Sequence, residues 1–142
     1  MSMKEKLHPG RALALCALAL ATFGAGAAAP QPAVAPQAVP PGLGLTSWQD
    51  NGSNGRYVLQ VIQGTAPKPG QRIVGVVTTD TDCDADAQGV SHCHNILKMA
   101  DGTQMTVIDS HNMHRFRCLG PGDQMTFTTA GKGWVIGTLL AK

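Results

Sequence analysis

Residues 91–111 read SHCHNILKMADGTQMTVIDSH, and this stretch decides the fold class. Asp101-Gly102 is a strong hairpin signal, because the connections that join two antiparallel strands need residues that tolerate positive φ. On either side, residues 96–99 and 104–110 are short apolar or β-branched runs, too brief for helices and bounded by turn formers. The stretch therefore predicts an antiparallel pair of strands.

Its register is open. A two-residue turn at Asp101-Gly102 pairs Ala100 with Thr103, and hence His94 with Asp109 and His92 with His111. A three-residue loop with a bulge at Gly102 pairs Met99 with Thr103, and hence Cys93 with Asp109. Side chains alternate between the faces of a strand. The first register therefore gathers His92, His94, Asp109 and His111 on one face. The second gathers Cys93, Asp109 and His111 and sends His92 and His94 to the other side. A one-residue slip exchanges the faces.

The same pattern recurs outward from this hairpin. Residues 57–62 (YVLQVI) form a strand after the turn signals Asn51-Gly52 and Asn54-Gly55, and Pro67-Lys68-Pro69-Gly70 breaks the chain again. Residues 72–79 (RIVGVVTT) are almost continuously apolar, which predicts burial on both faces or a bulge at Gly75. Residues 124–128 and 134–140 flank Gly131-Lys132-Gly133 and predict a second hairpin. Residues 83–94 are read mainly as a loop with room for one turn, and no amphipathic helix stands out. Five or six short strands in under 100 residues predict an all-β domain over 47–142. The expected form is a small barrel, OB-like or SH3-like, or a Greek-key sandwich. With only Trp48, Tyr57, Phe116, Phe127 and Trp134 as aromatics, so small a core calls for a disulfide or a metal.

Upstream, the chain changes character. Lys4, Lys6 and Arg11 precede an apolar stretch over 12–23 and small residues over 24–29, the pattern of a cleaved export signal spanning 1–27. Residues 28–46, rich in proline and alanine, read as an extended linker. The expected location is periplasmic or secreted, with Cys16 discarded. Removing 1–27 leaves eight basic and eight acidic residues, a neutral chain. That balance excludes nucleic acid and an anionic membrane as partners held by charge, and the mature chain has no run long enough for a membrane span.

What remains is concentrated in one place. Cys83, Cys93, Cys118, His92, His94, His111 and His114 all lie between positions 83 and 118. The segment 111–118 (HNMHRFRC) adds the thioether of Met113. Imidazole, thiol and thioether suit copper or zinc and do not suit magnesium or calcium. The candidate ligands are thus His92, His94, His111, His114, Met113, Cys93, Cys118 and Asp109. Exported thiols oxidise, and the pairings expected are Cys83–Cys118 or Cys83–Cys93. No C-x2-C pair, HExxH or blue-copper order is present. The run Asp80, Asp82, Asp84, Asp86 resembles the start of an EF-hand loop, but Ala87 and Cys93 stand where glycine and glutamate are needed.

Two functions follow. One is an exported metal-binding protein acting in transport, buffering or resistance, with copper or zinc as its ion. The other is a disulfide-stapled barrel, a binding or structural module of the cell envelope with an envelope protein as partner and no metal. Catalysis is a weaker third, since the mature chain has neither a glutamate nor a nucleophile elbow. Whether the histidines converge in space separates the first two.

Overall fold

The computed structural model describes residues 37–141. The expected signal at 1–27, and the expected linker as far as residue 36, lie outside the described residues. Seven strands follow two single-turn 3-10 helices at Trp48–Asp50 and Ser53–Gly55. They are β1 (Arg56–Gly64), β2 (Ile73–Val77), β3 (Thr81–Ala85), β4 (Ser91–Met99), β5 (Gln104–His111), β6 (Gln124–Gly131) and β7 (Trp134–Leu139). No α-helix occurs among the described residues, and none of their helices is long and apolar enough to cross a membrane.

The sheet runs β2-β6-β7-β1-β5-β4-β3, and β2 also pairs with β4. That extra pairing closes six antiparallel strands into a barrel, with β3 as an addition. β2, β4, β5 and β1 lie side by side in Greek-key order. β2 reaches only one end of β4, where Gly75, Val76 and Val77 face Met99, Lys98 and Leu97. β3 takes the other end, setting Thr81 opposite His94 and Asp84 opposite His92. Between those pairs the register shifts, and Asp82 adopts φ 55°. The carboxylates of β3 hid this strand in the sequence, and β4 begins five residues before the stretch read as strand.

The β4–β5 hairpin adopts the three-residue register. Met99 N–H donates to Thr103 O at 2.8 Å, Gly102 takes φ 86°, and Cys93 stands opposite Asp109. The β6–β7 turn likewise needs positive φ at Gly131, Lys132 and Gly133.

The expectation for residues 72–79 fails in both forms. Val74 is 43% exposed, so β2 is not buried on both faces. Its pairings with β4 and β6 run without a register shift, so Gly75 is not a bulge. Gly75 serves close packing instead: a Cβ there would stand 2.8 Å from Met99 Sδ and 3.1 Å from Lys98 O.

Inside the barrel, Tyr57, Leu59, Leu97, Val107, Met125, Phe127 and Val135 form the main core with Val77, Met99, Met105 and Leu119. Val58 points the opposite way from its neighbours Tyr57 and Leu59, and it anchors a second cluster with Leu43, Trp48, Val90 and Trp134. Trp48 stacks on Trp134 with ring centroids 5.6 Å apart. Leu43, inside the stretch assigned to the linker, is buried here, and its carbonyl accepts from Arg56 Nη2 at 2.8 Å. Residues 41–44 form a turn with positive φ at Gly42 and Gly44 rather than the extended linker expected, and a few apolar side chains hold it on the barrel.

Candidate functional site

The register decides which candidate ligands meet. Cys93, Asn95, Asp109 and His111 point into the barrel, each with no solvent exposure. His92, His94 and Ser110 occupy the alternate positions on the outer side. The sheet thus separates His92 and His94 from His111. Met113 and His114 lie exposed in the segment after β5. The eight expected ligands do not gather at one point.

A different set does. Cys83 is disulfide-bonded to Cys93 with a Cα–Cα distance of 4.1 Å, one of the two expected pairings, and Cys118 keeps a free thiol. The bulge at Asp82 accompanies this bond, which links β3 to an inward-facing position of β4. Asp80 Oδ1 lies 3.4 Å from Cys83 Sγ. Ligand atoms of Asp80, Cys83 and Cys93 all lie within 4.8 Å of one another. Asn95 holds the carboxylate in place: its Nδ2 donates to Asp80 Oδ1 at 3.0 Å, to Thr79 O at 3.0 Å and to Leu119 O at 3.3 Å. Of these three, the sequence points to Cys93 as a ligand, to Cys83 as a disulfide partner and to Asp80 only as part of an acidic run.

As a disulfide, the two sulfurs offer no thiolate to a metal. Reduction would yield two thiols beside a carboxylate, a donor set that fits zinc or copper.

Beside this group lies a buried pair. His111 Nδ1 is 3.1 Å from Asp109 Oδ2, with both side chains fully buried, although the contact is not aligned as a hydrogen bond. Asn51 Nδ2 approaches Asp109 Oδ1 at 3.4 Å. Burial pushes the Asp109 carboxyl up. Burial also opposes charge on His111, but contact with Asp109 more than offsets it, and the net direction is up. The Tyr57 ring meets His111 edge-on, and its hydroxyl donates to Arg117 O at 2.8 Å. Burial, with help from Asp109, pushes that phenol up to about 12. Burial and the charges of Asp80 and Asp109 likewise raise the Cys118 thiol, which keeps it protonated and dulls it as nucleophile or ligand.

On the outer side, His92 Nδ1 lies 2.8 Å from Ser110 Oγ and its Nε2 lies 3.1 Å from Asp86 Oδ2. His94, which is half-buried, has its Nδ1 3.8 Å from Asp82 Oδ2. Arg115 pairs with Asp50 at 2.8 Å, and Arg117 grips Asp123 through both guanidinium nitrogens at 2.6 and 3.0 Å. Comparisons of the chain with models of protein families, with curated proteins and with solved structures return no match.

Proposed function

We propose that this chain is an exported metal-binding protein for copper or zinc, serving metal transport, buffering or resistance. Its site forms only when an external thiol reductant opens the Cys83–Cys93 disulfide by exchange, and Asp80, Cys83 and Cys93 then hold the ion. The observation that carries this reading is the Asp80 carboxylate beside the Cys83–Cys93 disulfide, its Oδ1 3.4 Å from Cys83 Sγ. Two thiolates and an oxygen make three ligands, and a fourth position stays open to solvent or a further donor, as borderline metals accept. Asn95 would act on the ion indirectly, by orienting Asp80. The histidines do not converge and lend this reading no support, and His92, His94, His111 and His114 all lie outside the site.

The second reading, a disulfide-stapled envelope module without metal, draws its support from the same bond, which in its oxidised form ties β3 to β4. Native mass spectrometry of the exported protein separates the two. Spectra are recorded with the disulfide intact and after treatment with a dithiol reductant, each with one equivalent of Zn(II) or Cu(I). The metal reading expects one ion on the reduced protein only, lost in Cys83→Ser and kept in His92→Ala and His94→Ala. A reduced protein that ignores both ions leaves the stapled module.

A further inference from the structure

The outer face of the β4–β5 hairpin carries a second arrangement, independent of the sulfur group. His92 and Ser110 are direct cross-strand partners. The serine Oγ lies 2.8 Å from His92 Nδ1, and Asp86 Oδ2 lies 3.1 Å from His92 Nε2. Asp86 is itself fixed. Its Oδ1 accepts from Gln88 N–H at 2.8 Å and Val90 N–H at 3.0 Å, leaving Oδ2 to the imidazole. Burial opposes its charge, but these contacts win and hold the carboxyl below its ordinary range. A fixed carboxylate on Nε2 keeps the proton there and leaves the Nδ1 lone pair facing the serine hydroxyl. Nucleophile, base and orienting carboxylate thus stand in the sequence of contacts that acyl transfer needs.

We propose that Ser110 is a nucleophile, activated by His92 and Asp86, which accepts the acyl group of small activated esters and passes it to water. His92 Nδ1 takes the hydroxyl proton as Oγ bonds the acyl carbon. The ester C–O bond then breaks, and His92 returns the proton to the departing alkoxide. Water, deprotonated by His92, attacks the acyl-serine and releases the carboxylic acid, restoring the hydroxyl. No oxidant or reductant enters. Ser110 is 4% exposed and the His92 side chain 20%, so access runs past the imidazole and admits only a small acyl group such as acetyl. The backbone N–H groups of Gln88 and Val90 are committed to Asp86 and cannot also stabilise an oxyanion. Without such donors both half-reactions are slow, and a burst is expected only with an activated ester, whose good leaving group makes acylation faster than hydrolysis of the acyl-serine.

The test uses the disulfide-intact protein, stripped of metal by a chelator, with p-nitrophenyl acetate as probe. The expected result is a burst of about one nitrophenolate per chain and a single acetyl group mapped by peptide mass to Ser110. Ser110→Ala abolishes the burst, and His92→Phe slows it by about 10²–10⁴-fold, the usual contribution of a general base. Acetyl groups confined to lysines or other residues, with Ser110 unmodified in the native protein, overturn the proposal without recourse to any variant. Equal labelling of Ser110 in His92→Phe overturns it as well. Neither result bears on metal binding by the reduced protein.

Discussion

Cys93 and Asp109 stand directly opposite each other on β4 and β5, and neither has any solvent exposure. This pairing places a sulfur of the disulfide and the carboxylate of the buried Asp109–His111 pair on the same inner face. These polar groups are set directly against the apolar core, since Leu59 of β1 pairs with Asp109 and the Tyr57 ring meets His111 edge-on.

Removing the disulfide should loosen β3. The bond closes a short loop, with a sequence separation of 10. Constraint of the unfolded chain by a loop of that length contributes about 3 kcal/mol. Urea denaturation of a Cys83→Ala/Cys93→Ala double variant should show that loss. Amide exchange should quicken first at Thr81–Ala85, the strand with a pairing partner on one side only.

Breaking the buried pair should cost more than its exposed counterparts. His111→Ala leaves the Asp109 carboxyl group without its imidazole neighbour in a fully buried position, and the lost polar partner is expected to cost about 1–3 kcal/mol. Asp109→Asn in the same background should recover part of that loss, because it removes the ionisable group left without its imidazole neighbour. A denaturation cycle over the two single variants and the double variant gives the coupling.

Stability should fall in alkali. Tyr57 keeps its proton in the fold up to about 12, against an ordinary value of 10.0. Between those two pH values the unfolded chain has lost the proton and the folded chain has not. Stability is therefore complete below pH 10 and declines as pH rises toward 12, by about 3 kcal/mol in total. Tyr57→Phe should cost about 1 kcal/mol at neutral pH, from the lost hydrogen bond to Arg117 O. It should also flatten the alkaline decline, as read by thermal melts across that range.

The two partners of one ion pair should respond unequally. The Arg117 side chain is 53% exposed and that of Asp123 only 6%. Asp123 also accepts Gly120 N–H at 2.8 Å, pinning the turn between β5 and β6. Arg117→Ala should therefore cost less than about 1 kcal/mol, and Asp123→Ala about 1–3 kcal/mol. Chemical denaturation of both variants checks the order.

The strands with apolar or β-branched runs were readable from the chain. Residues 57–62, 104–110 and 134–140 fall on β1, β5 and β7 to within two residues at either end. β3 was not readable, because Asp82 and Asp84 are poor strand formers and its place depends on pairing with β4 and the bond to Cys93. The stretch at 37–46 was not readable either. Its burial arises from Leu43 meeting the nearby Trp48 and also Trp134, which lies far along the chain and becomes a neighbour only when the barrel closes. The candidate site depended on the loop at Ala100–Gly102. Both registers were physically sound from the sequence, and the choice between them sends His92 and His94 to one side and Cys93, Asp109 and His111 to the other. Asp80 entered the site through the bulge at Asp82, for which the sequence carries no clear mark.

A ring of strands has no open side on which another chain can extend the sheet, and β3 is the one strand that interrupts this closure. Among the described strands it pairs with β4 alone. Its outward edge carries the exposed carboxylates of Asp82 and Asp84 and a kink where Asp82 turns to positive φ. Charge and irregularity at such a position discourage edge-to-edge growth. The acidic run that does not make a calcium loop should thus hinder self-assembly of the barrel into fibrils, and replacing Asp82 and Asp84 with Thr and Val should make the protein aggregate faster.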